Sequence, residues 1–186
     1  MVVDPDPDSL PEPSAGVKFI KEDGVFFLKN HLEEKNAPEW IIPAVPVHLA
    51  ARWCITTDHG DLSVRTCPPP GELKHQVPNP VFGPSGDIYT SYAEVQCPDN
   101  CPEPEDHCPV TGKKREQNLF EKLQQIEVPG FEILVVRSRQ LAPGVGGYKP
   151  AELFELKRKL YEKPDRYLIA TACRCHGVIT PVITQS

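Results

Sequence analysis

No run of about 18 apolar residues, the length a membrane-crossing helix requires, occurs in this chain. Nor does the opening "MVVDPDPDSL" pair a basic stretch with an apolar core in the manner of a secretory leader, since it turns acidic at Asp4. A soluble, cytoplasmic protein without membrane attachment is the expectation. Basic residues are too few and too scattered to serve a nucleic acid. The 20 Lys and Arg against 26 Asp and Glu leave a net charge of −6, and the short "GKKR" at 112–115 makes no stripe that could replace phosphate counterions. Also absent are the P-loop, the Gly-x-Gly-x-x-Gly fingerprint, the Cys-x2-Cys pair of zinc ribbons, the ferredoxin cysteine run and any internal repeat.

What the chain has in quantity is proline and cysteine. It carries 22 prolines in 186 residues and is still 39% hydrophobic. A chain of this length can bury roughly 70% of its unfolded surface, so no staples are required for stability. In a reducing compartment its seven cysteines are poor candidates for structural disulfides, and an odd number would leave one over. They read better as thiolates.

Hydrophobic periodicity divides the chain into two α/β parts around a middle dense in proline and glycine. In residues 1–54, Val2-Val3 and Val17 to Ile20 are short strands separated by the "PDPDSLPEP" loop. Val25, Phe26, Leu28 and Leu32 then form an apolar helical face behind Asp23 as N-cap. "WIIPA" is a buried strand halted at Pro43 and Pro46, followed by a short helix over "VHLAARW". Residues 55–113 read as a Pro/Cys-rich insertion with one strand-like stretch, "GDIYTSYAEVQ". In residues 114–186, "KREQNLFEKLQQIE" is a helix with Leu119, Phe120, Leu123 and Ile126 on one face, and "FEILVV" is a strand. "PAELFELKRKLYEK" is a helix with Pro150 in its first turn, and "RYLIATA" is a strand. Strand, helix, strand predicts a right-handed crossover between parallel strands. The expected fold is α/β: a mainly parallel, Rossmann-like sheet with helices on both faces.

The stretches "VVDPDP", "VKFIKEDGVFFL" and "WIIPA" resemble a Rossmann-type nucleotide-binding domain from its second strand onward, similar to the domains that regulate bacterial potassium uptake. The resemblance spans about the first 50 residues and implies a nucleotide whose ribose hydroxyls bind at Asp4. The family's first strand and glycine loop have no counterpart here. Either the start is placed too late, or the fold is kept and the cofactor lost. An open sheet edge at the missing strand would invite a second copy or a partner chain. Read without the resemblance, Asp4 is a turn residue beside Pro5.

The chemistry concentrates in two places. "CPDNCPEPEDHCPVTG", residues 97–112, holds Cys97, Cys101 and Cys108, each followed by proline; "ATACRCHG" holds Cys173, Cys175 and His176 directly after an apolar strand. The strand's carboxyl end is where ligands gather in parallel α/β sheets. Together the segments offer the soft ligands of zinc or an iron–sulfur cluster, with Cys97, Cys101, Cys108 and Cys175 as one possible set of four. A shared tetrahedral metal would bring their sulfurs to about 4 Å from one another. His176 is a borderline ligand or a proton carrier near metal-bound water, the one candidate for a catalytic role. Cys54, on the apolar face "HLAARWC", reads as a small buried hydrophobe, and Cys67 as a loop cysteine. His48 reads as a satisfied structural histidine; His31, His59, His75 and His107 fall in exposed or loop contexts, and of these His107 alone stands beside a ligand cysteine.

A second feature is "VVRSRQLAPGVGGYKPAEL". Its glycines Gly144, Gly146 and Gly147 could bring backbone N–H groups to an anion, and Arg137 and Arg139 could add charge-assisted forks. The same stretch also reads as a plain strand-to-helix connection. Two functions follow. One is a metal-binding protein with a structural or redox site and no turnover. The other is an enzyme in which a metal activates water or substrate, the arginines and glycines hold an anionic small molecule, and His176 moves a proton.

Overall fold

The computed structural model describes the chain except residues 7, 9–11, 13, 14, 58, 59 and 186. His59 and much of the "PDPDSLPEP" loop therefore lie outside the described residues. Among the described residues there are four α-helices, and three of them start where capping or proline supports the first turn. Helix α1 (Gly24–His31) starts at Asp23, whose side chain accepts from the N–H groups of Val25 and Phe26. Helix α2 (Leu49–Thr56) covers the "VHLAARW" segment, and α3 (Leu119–Gln125) begins at a capping box between Asn118 and Glu121. Helix α4 (Pro150–Glu162) has proline in its first turn, where the missing N–H removes no helical bond.

The sheet corrects the expectation of a mainly parallel, Rossmann-like fold. The crossover pair exists: β6 (Glu132–Arg137) and β9 (Arg166–Ala172) run parallel, joined through α4. Every other pairing in the six-stranded sheet is antiparallel. Its order is β4 (Val81–Phe82), β5 (Ile88–Ser91), β10 (His176–Gln185), β9, β6, with β3 (Ser63–Thr66) pairing the far end of β10. Only Cys173, Arg174 and Cys175 separate β9 from β10. That is enough for a tight antiparallel return and far short of the dozen or more residues a parallel connection needs. The result is a mixed α/β fold.

Strand β10, at 10 residues the longest among the described residues, has proline in its middle. The carbonyl of Pro181 accepts the Cys67 N–H at 3.0 Å, so the absent Pro181 N–H faces the same flank. On that flank β5 pairs residues 176–179 and β3 pairs residues 182–185. Pro181 falls in the gap between the two neighbours, where no ladder donor is needed.

Residues 55–113 thus contribute β3, β4 and β5 to the same sheet. "WIIPA" supplies only a single bridge, Ile41 to Tyr148, because Pro43 and Pro46 remove the donors a ladder would use. Strands β1 (Val2–Asp4) and β2 (Phe19–Lys21) pair in parallel with each other and form a separate two-stranded sheet. The Asp4 side chain accepts the Asp6 N–H at 2.8 Å, a local turn.

Strand alternation sends side chains to two cores. Tyr167 and Ile169 of β9 join Leu134, Val136 and Val182 beneath α1, α2 and α4. Leu168, Ala170 and Ala172 join Ile88 and Ile179 beneath α3. The β9–β10 turn projects from between these cores, which fixes the "CRCHG" segment on a rigid base.

Candidate metal centre

Cys97, Cys101, Cys108, Cys173, Cys175 and His176 line one cleft of about 620 Å³. The two cysteine-bearing segments, separated by some sixty residues of chain, thus come together at the end of the β9–β10 hairpin. They ring the cleft without closing on a point. Among the described residues, no three His, Cys, Asp or Glu side chains stand close enough to share one ion.

Two of the thiols sit in turns that share two features: glycine four residues after the cysteine, and N–H groups two and three residues on directed at its sulfur. In the first, Cys108 N–H donates to Lys113 O and Gly112 N–H donates to Cys108 O, both at 2.8 Å. The Cys108 sulfur accepts from the Thr111 hydroxyl and from the N–H groups of Thr111 and Val110, and these hold its pKa below the ordinary thiol value. In the second, Cys173 N–H donates to His176 O at 2.9 Å, and the Cys173 sulfur faces the N–H groups of Cys175 and His176 at 3.5 and 3.3 Å. Burial, reinforced by Glu103, nevertheless pushes the Cys173 pKa up to about 12. Amide donors aimed at sulfur favour a thiolate once a cation neutralises the burial cost.

His176 stands between the segments: Nε2 is 3.5 Å from the Cys97 sulfur and Nδ1 is 4.0 Å from the Cys173 sulfur. Burial lowers its pKa, so the ring is neutral and able to ligate at neutral pH. Arg115, passed over in the sequence as part of a short basic cluster, ties the site together. Its Nη1 donates to Pro104 O at 2.8 Å and Glu105 O at 2.7 Å, and its Nη2 donates to the Cys175 sulfur at 2.8 Å. The signal available was its position, a cation directly after the cysteine loop. Glu103 is similarly committed, adopting φ +44° while its carboxylate accepts the Arg174 N–H at 2.9 Å. Left-handed backbone at a non-glycine residue beside the cysteines is a strained feature concentrated at the cleft.

The remaining candidates lie elsewhere. Cys54 is fully buried in the core under α2, where burial raises its pKa, and Cys67 is half-buried and does not line the cleft. His107 turns to Asp106 at 2.7 Å and does not line the cleft. His48 is buried, with Nδ1 2.7 Å from Thr180 Oγ1 and Nε2 2.8 Å from Thr171 Oγ1.

The glycine-rich stretch forms a hairpin, β7 (Arg139–Ala142) with β8 (Val145–Gly147), against one wall of the cleft. Gly144 alone of its three glycines has positive φ, at +75°. Gly146 and Gly147 lie in β8, where an added Cβ would stand 2.9 Å from Ser138 Oγ and 2.8 Å from Ile41 O respectively. Arg139 donates to Glu152 at 2.8 Å, and the Arg137 guanidinium lies 4.1 Å from the Phe120 ring centroid. Both arginines are engaged within the protein.

Residues 37–185 match the family described as "Uncharacterized protein, C-terminal domain", and the chain belongs to that family. The match takes in the six-stranded sheet and the whole cysteine cleft. A protein of Archaeoglobus fulgidus described as "Uncharacterized protein" is 33% identical over 186 aligned residues, covering 93% of this chain and 77% of the relative. No solved structure matches the chain. No helix of the described residues is long and apolar enough to cross a membrane.

Proposed function

We propose that the chain is a cytoplasmic metal-binding protein whose cysteine cleft holds zinc or an iron–sulfur cluster in a structural or redox role. The observation that supports this reading is the gathering of five thiols and one neutral imidazole around one cleft, with backbone donors directed at Cys108 and Cys173. Solvent-facing thiols of no function have no need of such donors; thiolates under a cation do, because N–H groups offset the charge sulfur retains. The side chains ring the cleft, so metal binding would draw them inward and order the 97–108 loop around it. Zinc would take four of the six donors; a cluster would take four thiolates with inorganic sulfide.

The other reading, an enzyme acting on an anionic small molecule, has less support. Its two arginines are occupied by Glu152 and Phe120, and Gly146 and Gly147 are spent on close packing. The test is elemental analysis and an absorption spectrum of full-length protein purified without oxygen. Iron with sulfide and a brown colour identifies a cluster, and about one zinc per colourless chain identifies zinc. Protein that carries neither, and takes up neither on reconstitution, removes the proposal.

A further inference from the structure

We infer that the β7–β8 hairpin is the positioning element of the thiolate site, seating the Cys97–Cys101 loop at the cleft through Gly144 and Gln140. The inference rests on the metal-binding reading above. One peptide oxygen of a candidate ligand residue is held twice by this hairpin: the Gly144 N–H donates to Cys101 O at 3.2 Å, and the Gln140 side-chain amide donates to the same atom. At Gly144 the two backbones touch. A Cβ added there would lie 1.8 Å from Asp99 O and 3.0 Å from its carbonyl carbon, and no side chain is available to swing aside.

The hairpin is itself anchored from behind. Arg139 reaches Glu152 on α4, Gly147 is pressed against Ile41 O, and Tyr148 exchanges backbone hydrogen bonds of 3.0 Å with Ile41. Its docking is therefore rigid on the side of the core and close on the side of the cysteine loop. Sequence suggests glycines that present N–H groups to an anion; their environment shows the principal one presenting its N–H to the carbonyl of Cys101. Glycine is required at 144 because φ is +75° and because the Asp99 carbonyl occupies the space of a side chain. Residues that orient a ligand in this indirect way typically change metal affinity by about 10- to 100-fold when removed.

The structure contains a matched control. Gly130 has the same φ of +75°, but an added Cβ there meets nothing within 4 Å. Gly130→Ala therefore reports the cost of the backbone conformation alone. The full chain, reduced and stripped of metal, would be titrated without oxygen with cobalt(II), read by thiolate-to-cobalt charge-transfer absorption, and with zinc against a chromophoric chelator. Gly144→Ala and Gln140→Ala are expected to weaken binding on the order of 10- to 100-fold, while Gly130→Ala lowers the melting temperature and leaves affinity at the wild-type value. If Gly144→Ala does not fold, Gln140→Ala decides alone, since it carries no backbone strain. If the wild type is brown as purified, retention of its cluster in the same variants replaces cobalt as the readout. Wild-type affinity in both hairpin variants, or an equal loss in Gly130→Ala, overturns the inference while leaving the metal site standing. A wild type that binds neither metal nor cluster overturns both.

Discussion

Acid should destabilise this protein through one buried histidine, and the size of the effect follows from its surroundings. The Thr180 hydroxyl donates to Asp87, so it can only accept from the His48 Nδ1–H; Nε2 is then the acceptor, and the Thr171 hydroxyl donates to it. Protonating Nε2 would abolish that acceptor and place a positive charge in a fully enclosed site. Burial lowers the pKa of His48 from 6.5 to about 4; Asp87 opposes the shift, and the nearby charge of Arg52 reinforces it. A base whose folded pKa is depressed binds its proton more readily when unfolded. The neutral fold is therefore unpenalised above pH 6.5, and stability is lost as pH falls from there toward 4. The full shift corresponds to about 3 kcal/mol, accumulating at roughly 1.4 kcal/mol per pH unit. Urea unfolding of metal-free, reduced protein at several pH values between 7 and 4 measures it, with His48→Gln as comparison. The variant should be less stable at pH 7 and should lose about 3 kcal/mol less than the wild type on acidification. Titrations remote from His48 occur in both proteins and cancel in the difference. Parallel pH profiles for the two proteins would refute the assignment of this site as a buried neutral histidine.

Cys101→Ser should reduce the metal content of purified protein while Cys54→Ser leaves it unchanged, since Cys54 lies in the core away from the cleft; equal loss in both, measured by elemental analysis, would mean the ligands are misassigned. Leu168→Ala should cost about 2–5 kcal/mol in urea unfolding, because Leu168 is fully buried in the core beneath α3; a loss below about 1 kcal/mol would contradict that packing. Arg115→Ala should open the 102–107 segment to limited proteolysis by releasing the carbonyls of Pro104 and Glu105, and an unchanged digestion pattern would show that the segment holds itself. Millimolar phosphate should leave the melting temperature where it is, because Arg139 is already paired with Glu152; a concentration-dependent rise would restore the glycine hairpin as an anion site.

The elements legible in the sequence are those whose signals are local. Asp23 and Pro150 mark helix starts because capping and φ restriction act within one turn, and "FEILVV" and "RYLIATA" read as strands because each contains an uninterrupted apolar run of four residues. Strand β10 was not legible for the converse reason. "HGVITPVITQ" mixes threonine with a central proline, and proline argues against an inner strand unless two neighbours divide its flank, as β5 and β3 do here. That division depends on two segments roughly 85 to 120 residues away in the chain. Without that strand β9 has no antiparallel partner, and a parallel sheet is the natural extrapolation.

The same distinction separates the two motifs at the site. Cysteine density is a local signal, and it marked both walls of the cleft. The part played by the glycines is not local, because Gly144 is explained by the Asp99 carbonyl, an atom contributed by backbone that carries no sequence signature of its contact. A glycine-rich hairpin beside arginines satisfies the description of an anion cradle until the acceptors of its N–H groups are known. Here the Gly144 N–H goes to Cys101 O, and the Arg139 guanidinium goes to Glu152. The two features, separate in the chain, are thus consecutive layers of one packing arrangement: α4 holds the hairpin, the hairpin holds the cysteine loop, and the loop faces the turn that β9 and β10 project from the sheet. Rigidity at the thiols then derives from the cores on both faces of β9. A core substitution such as Leu168→Ala would accordingly loosen the cleft only as far as it loosens the β9–β10 hairpin beneath it.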